Sequence, residues 1–411
     1  MLKYILLSLV IVTLLVFRYV SFYSHQIEIP EGKAIHFQAR LLSEPKRTDR
    51  HQILQFRLSG KRFFLRIPSY PSFKYGQVLL VRGITKQSQD DANIFFLEKP
   101  SVTLAKEQGI LFPFIVSLQD QIKTVFRHVL PSTASSLLLG IVYGIREGMP
   151  KEFLESLQRT GMLHVIAASG MNVSFVAGAV IALLQPFFRR QRAIVLACLI
   201  VWFYAFMAGL EPSIIRAAAM ATFGFMAGLL GRQYIGLFSL IFIGCLMLLW
   251  SPETIFDIGF QLSFLATAGI ITATQLFSQG KGFLQALKSD ILTTASAQLA
   301  TMPLLLSTFG SYSLLSLVVN ILVVWTVPLL MILGSIAGVL AFLFPGAASL
   351  FLWLALPFLL YFEATVAFFA KIPFSLTVKE LHWSIVVGYY FVLTAFFVWR
   401  MKKRQLRSKE N

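Results

Sequence analysis

Nine apolar runs crowd the stretch from Leu163 to Arg400, and they constrain this chain more than any other feature. They lie at about 163–188, 193–210, 213–230, 234–250, 255–277, 291–309, 314–343, 347–370 and 384–400. A helix needs about 20 apolar residues to cross the hydrocarbon core of a bilayer. Runs of this length cannot all be hidden in one water-soluble core, so the solvent they imply is lipid. Composition agrees: 56% of the 411 residues are hydrophobic and 13% are charged, whereas soluble proteins carry about 25% charged residues. The 314–343 run is long, and Pro328 is expected to break it in two.

The charges between the runs predict an orientation. Arg189, Arg190 and Arg192 follow the first run, Arg232 the third, Lys281 and Lys288 the fifth. The tail carries Arg400, Lys402, Lys403, Arg404, Arg407 and Lys409. If the spans alternate, all four basic segments fall on one side, which is then the cytoplasm. The net charge of +17 exceeds what this bias needs and points to an anionic partner, nucleic acid or lipid headgroups.

Ahead of the runs the chain changes character. Residues 1–24 read as an uncleaved membrane anchor, because no small-residue cleavage site follows the apolar stretch Ile5 to Val20. Residues 28–106 alternate short runs with breakers. Strands are expected at 33–42, 51–58, 61–68, 77–84 and 93–97, separated by Pro45, Ser59-Gly60, Pro68 to Pro71 and Gly76. Five short strands in this space predict a small β-barrel, an OB-like domain or an SH3-like one. With 14 Lys+Arg against 7 Asp+Glu, this domain is basic, and the alternation of the spans places it outside. Residues 113–160 read as an amphipathic or re-entrant helical segment, 161–400 as the transmembrane bundle, and 401–411 as a basic cytoplasmic tail.

Strand periodicity sorts the segment Lys61 to Ile67. Phe63, Leu65 and Ile67 share one face, and Arg62, Phe64 and Arg66 share the other. The first set suits a barrel core. The second sets a ring between guanidinium groups, the combination on which single-strand binders stack a base and hold phosphates. Arg57, Arg62, Phe64 and Arg66 are therefore the candidate DNA-binding residues. The plainer alternative is that Phe64 packs on a neighbouring surface and the arginines snorkel around it.

Polar groups inside apolar runs are the other candidates, because they are expensive in lipid and usually face a cavity or another helix. His164, Ser169, Gly170 and Asn172 cluster in one run, Arg216 lies four residues beyond Pro212, Asp257, Gln261 and Ser263 fall in the next cluster, and Gln298 and Asn320 follow. Each alone is explained equally well as an interhelical hydrogen bond that only holds the bundle together. Together they read as the lining of a polar path with one strong positive charge and more amides than acids, the reverse of a cation pathway. A Ser/His hydrolase built on Ser169 and His164 lacks the G-x-S-x-G context. The cysteines, Cys198 and Cys245, lie in apolar runs, and no two histidines stand at ligand spacing. No catalytic residue, metal or cofactor is expected.

In order, these segments resemble the ComEC family of competence proteins, the DNA-uptake channels of transformable bacteria. The resemblance runs through Tyr75-Gly76-Gln77-Val78 to Gly83, then Gly140 to Gly144, Phe153, Gly161, His164, Ser169-Gly170 and Asn172. It continues through Pro212 and Arg216, Asp257 with Phe260-Gln261-Leu262-Ser263-Phe264, Gln298 to Pro303, and Asn320. It implies a polytopic helical protein of the bacterial inner membrane with an extracytoplasmic OB-like domain. The implied function is a channel that conducts single-stranded DNA into the cytoplasm. Longer family members add a metallo-β-lactamase-like domain. The residues here carry no H-x-H-x-D-H motif, so a zinc nuclease activity is not expected from them.

The partners implied are single-stranded DNA, membrane lipids, a cytosolic helicase-like ATPase (the chain carries no Walker A motif), a membrane DNA receptor and a separate nuclease; a homo-oligomer is compatible with all of these. The rival readings are a transporter of a small anionic solute or lipid, which leaves the basic β-domain without a role, and a scaffold with no transport of its own.

Overall fold

Side-chain alternation and helical apolar runs separate in space as they do in sequence. The computed structural model describes residues 2–24, 31–41, 45–47, 50–58, 61–73, 76–88, 94–105, 111–166, 169–277, 283–372, 375–377 and 382–410. It divides into two compact units, Met1–Thr124 with Leu249–Glu253, and Val125–Leu248 with Thr254–Asn411.

The first unit holds helix α1 (Leu2–Ser24) and strands β1 (Ala34–Arg40), β2 (Lys46–Arg47), β3 (His51–Leu58), β4 (Lys61–Pro68), β5 (Val78–Gln87) and β6 (Ile94–Leu104). All five expected strands are present, β6 longer than expected, and β2 is an addition. They form one six-stranded sheet in the order β1-β5-β6-β4-β3-β2. Neighbours are antiparallel except for the parallel pair β4–β6. No ladder joins β1 to β2 or β3 among the described residues, so the expected barrel is an open sheet. Leu54, Phe56, Phe63, Leu65, Phe95 and Leu97 fill its core. Phe63 and Phe95 stack there with centroids 5.5 Å apart. Helix α2 (Leu111–Val129) follows, and the Arg40 guanidinium lies 4.0 Å from the centroid of the Phe112 ring.

The second unit is helical. Its elements are α3 (Ser132–Tyr143), α4 (Lys151–Arg159), α5 (Leu163–Ile166), α6 (Gly170–Leu184), α7 (Arg190–Met207), α8 (Pro212–Leu229), α9 (Gly236–Trp250), α10 (Ile258–Phe277), α11 (Phe283–Phe309), α12 (Ser316–Val323), α13 (Thr326–Leu343), α14 (Pro345–Phe369) and α15 (Trp383–Glu410). Among the described residues four helices, α7, α8, α13 and α14, are long and apolar enough to cross a membrane, and α3, α6 and α9 are shorter apolar helices. Large apolar side chains such as Leu199, Trp353 and Phe391 remain exposed, which fits lipid rather than water as their surroundings.

Two expectations change. The run 163–188 is not one span but two pieces, α5 and α6. The run 314–343 breaks between α12 and α13, at 324–325, not at Pro328. That proline sits in the first turn of α13, where a backbone N–H has no intrahelical acceptor to lose. The short run around Ser135 to Tyr143, within the segment read as amphipathic or re-entrant, forms a buried helix: Ala134 through Tyr143 are all buried, with α3 packed on α13 and α14.

Two contacts tie segments at helix ends. Arg190 Nη2 donates to Gly228 O at 3.1 Å, joining the start of α7 to the end of α8. The antiparallel pair β7 (Ser311–Ser313) and β8 (Ser375–Thr377) joins the segment after α11 to the one after α14. Lys281 lies outside the described residues, as do the side chains after Arg400.

Candidate nucleic-acid interface and membrane path

The face of the sheet opposite its core carries a cross-strand row. Gln55 pairs with Phe64, Phe64 with Phe96, and Phe96 with Lys86. Because Phe63 and Phe95 point inward, Phe64 and Phe96 point outward. Their rings lie 6.0 Å apart, tilted by 34°. Phe64 is half-buried, and Phe96 is 47% exposed. Lys86 Nζ stands 3.0 Å from Glu98. Arg66 is exposed and its Nη2 lies 3.5 Å from His51 Nδ1. The side chains of Arg57 and Arg62 lie outside the described residues; their backbones are paired with each other across β3 and β4. Sequence reasoning missed Phe96, although Ile94-Phe95-Phe96-Leu97 shows the same alternation that singled out Phe64.

In the helical unit the candidates fall into two groups. The first surrounds Arg216, which is 4% exposed. Its Nε and Nη2 both donate to Ser263 Oγ, at 3.1 and 2.6 Å, and Nη1 lies 3.3 Å from Met220 Sδ. Among the described residues no carboxylate comes within 4.0 Å of this guanidinium. Asp257, a natural partner to suspect, is occupied elsewhere: its Oδ1 accepts from Phe260 N at 2.9 Å. Ser263 lies six residues farther on, about 9 Å along the helix axis. Gln261 Nε2 donates to Ile255 O at 2.6 Å, so it ties down the turn before α10.

Gly170 joins this group through its lack of a side chain: a Cβ there would stand 3.0 Å from Arg216 Nη2 and 3.3 Å from Ala217 Cβ. Ser169 precedes α6 without capping it. Its Oγ instead donates to Asn172 Oδ1 at 3.2 Å, and Asn172 Nδ2 donates to Ile141 O at 2.7 Å. Asn172 is buried, and with Tyr204 OH on Val142 O at 2.7 Å it pins the end of α3. Asn172 thus holds the start of α6 to the end of α3.

The second group surrounds Gly161 and His164. His164 Nδ1–H donates to Gly161 O at 2.9 Å, and the imidazole also interacts with the Asn320 side chain. Gly161 has φ +74°, and a Cβ there would come within 2.8 Å of Ser316 Cβ and 3.5 Å of Ser313 Cβ. Ser313 Oγ, Ser316 Oγ and Asn320 Oδ1 are buried with no hydrogen-bond partner among the described residues. Asn320 Nδ2 reaches Thr294 Oγ1 only at 3.5 Å. Gln298 Oε1 accepts from Tyr312 OH at 3.3 Å. The structure thus separates His164 from Ser169, which Ala167 and Ala168, outside the described residues, connect. A Ser/His catalytic pair gains no support. Ser313 and Ser316 escaped the sequence reading because serine is common in loops.

At the turn between α7 and α8, Glu211 has Arg146 and Asp257 as charged neighbours. Solvent reaches its side chain, yet protein crowds the carboxyl. Desolvation is the largest influence and raises its pKa; Arg146 opposes this and Asp257 adds to it. No three His, Cys, Asp or Glu side chains gather as metal ligands among the described residues.

The profile of the competence protein family matches residues 141–403. ComE operon protein 3 of Bacillus subtilis (strain 168) is 29% identical over 228 residues, covering 55% of this chain and 29% of that protein. The uncharacterized protein YcaI of Escherichia coli (strain K12) is 29% identical over 238 residues, covering 53% of this chain and 30% of its own length. An uncharacterized protein of Aquifex aeolicus (strain VF5) is 32% identical over 136 residues, covering 33% and 32%. In each case the match spans roughly three-tenths of the relative. No solved structure matches.

Proposed function

The chain belongs to the competence protein family, and from that premise we propose that it conducts single-stranded DNA across the bacterial inner membrane during transformation. The observation that carries this reading is the outward row Gln55–Phe64–Phe96–Lys86 on a basic sheet. The rings supply a platform for bases, which is sequence-tolerant because every base has a π-face, and the cations hold phosphates. A transporter of small solutes has no use for such a platform.

In this reading residues 28–106 form an OB-like receptor outside the membrane, 1–24 anchor it, 113–160 lead into the bundle, and 161–400 form the conduit with 401–411 in the cytoplasm. His164, Ser169, Gly170, Arg216, Asp257, Gln261, Ser263, Gln298 and Asn320 line or shape the path, and Asn172 braces it. The work of transport is assigned to a separate cytosolic motor. No strand cleavage is assigned to these residues.

Deleting the gene and measuring transformation frequency with a selectable fragment tests the reading. Loss of transformants, restored by the intact chain and not by the Phe64→Ala, Phe96→Ala double variant at equal protein level, is the expected result. Unchanged transformation in the deletion strain overturns it. Normal transformation combined with lost efflux or uptake of a small anion favours the solute-transporter alternative.

A further inference from the structure

Arg216 is a buried cation whose partners do not match its charge. Taking a guanidinium out of water costs several kcal/mol unless an anion or a full set of acceptors compensates. Here Ser263 Oγ takes Nε–H and one Nη2–H, which exhausts its two lone pairs. Nη1 has only the Met220 thioether, a weak acceptor. Three of the five N–H groups thus lack an oxygen acceptor among the described residues. The double contact with Ser263 holds the guanidinium plane in place, as a clamp would for a ligand approaching from another side.

That side is marked by Gly170. Any side chain there would cover Nη2, since a Cβ would stand 3.0 Å away, and Gly170 is only half-buried. Gly170 also opens α6, a helix of 15 residues whose preceding Ser169 does not cap it. Asn172 N and Val173 N donate to Ser169 O, which leaves the N–H groups of Gly170 and Met171 without a backbone acceptor among the described residues, pointing beyond the terminus. A fixed guanidinium and a helix terminus therefore meet with no side chain standing between them.

We propose that Arg216, Gly170 and the first turn of α6 form a binding site for one phosphodiester group. One guanidinium balances the single negative charge of a diester, whose two non-bridging oxygens suit its fork, whereas a phosphate dianion leaves an unbalanced charge. The proposal rests on the conduit reading, in which the diester belongs to a DNA strand. A phospholipid headgroup presents the same group, so the test separates the two sources.

Full-length protein in a maltoside detergent, which contains no phosphate, is heated in rising dimethyl phosphate at constant ionic strength, with chloride as control. A ligand that binds only the folded state raises Tm. The expected result is a rise with dimethyl phosphate beyond that with chloride, absent in Arg216→Gln and partly kept in Arg216→Lys. Gly170→Ala is the second variant, because it leaves every charge in place. Its Cβ must be accommodated against Arg216 Nη2 and Ala217 Cβ, so the ligand-dependent rise is read against the variant's own Tm and is expected to fall at least about tenfold in apparent affinity, for a loss of about 1.4 kcal/mol. Equal responses in wild type and both variants overturn the site, as does no response beyond chloride in wild type. Competition then identifies the source. Displacement by oligo-dT supports a DNA path. Displacement by short-chain phosphatidylglycerol alone keeps the site and sinks the DNA reading. A deletion strain that fails to transform while wild-type protein ignores dimethyl phosphate keeps the conduit and sinks the site.

Discussion

Phe64→Ala is the perturbation that most directly tests how the sheet meets a strand. Phe64 and Phe96 face outward on adjacent parallel strands with centroids 6.0 Å apart. The two rings therefore form one tilted platform, and a base resting on one touches the other. Base–aromatic stacking is worth about 1–3 kcal/mol per base by alanine substitution, so Phe64→Ala is expected to weaken binding by about 5- to 150-fold. Phe96→Ala falls in the same range. Because the rings share one base, the double variant loses less than the sum, with a coupling of about 0.5–1.5 kcal/mol. The assay is fluorescence anisotropy of a labelled oligo-dT with full-length protein in detergent at fixed salt, with Phe64→Leu as a control that keeps apolar bulk but removes the π-face. Affinities of both single variants within twofold of wild type refute the platform. A lowered Tm with unchanged affinity shows instead that Phe64 only packs against Phe96.

Other predictions follow from the same geometry. Arg66→Ala removes about one phosphate contact, so the slope of log K against log[salt] is expected to shrink by about 0.7, the value for single strands; an unchanged slope excludes Arg66 from the interface. Gly161→Ala meets Ser316 Cβ at 2.8 Å and must hold φ +74°. A destabilisation of about 1–2 kcal/mol from the backbone alone is expected as a lowered Tm, and an unaltered Tm shows that the Gly161 turn is loosely packed. Cysteines placed at Arg190 and at Lys61 are expected to react with a membrane-impermeant maleimide from opposite sides of the membrane, as the one-sided basic loops require; reaction of both from the same side removes the topology.

What the sequence determined by itself is the part governed by local rules. Lipid is the only solvent that accepts its apolar runs, so a helical membrane protein was legible from Leu163 onward. Side-chain alternation gave the strands and the inward set Phe63, Leu65 and Ile67, because strand period is a property of the backbone alone. What only tertiary structure decided depends on which elements meet. The sheet stays open because closure needs β1 to reach β3, and no local signal sets that distance. The 163–188 and 314–343 runs break between short helices because packing, not proline, fixes their ends. A carboxylate such as Asp257 was available to pair with Arg216. The fold instead gives Asp257 to the Phe260 N–H and Arg216 to Ser263, and it sets Gly170, 46 residues earlier in the chain, against the guanidinium. A buried charge is balanced by whatever the fold brings within a few ångströms, and that distance is decided in three dimensions.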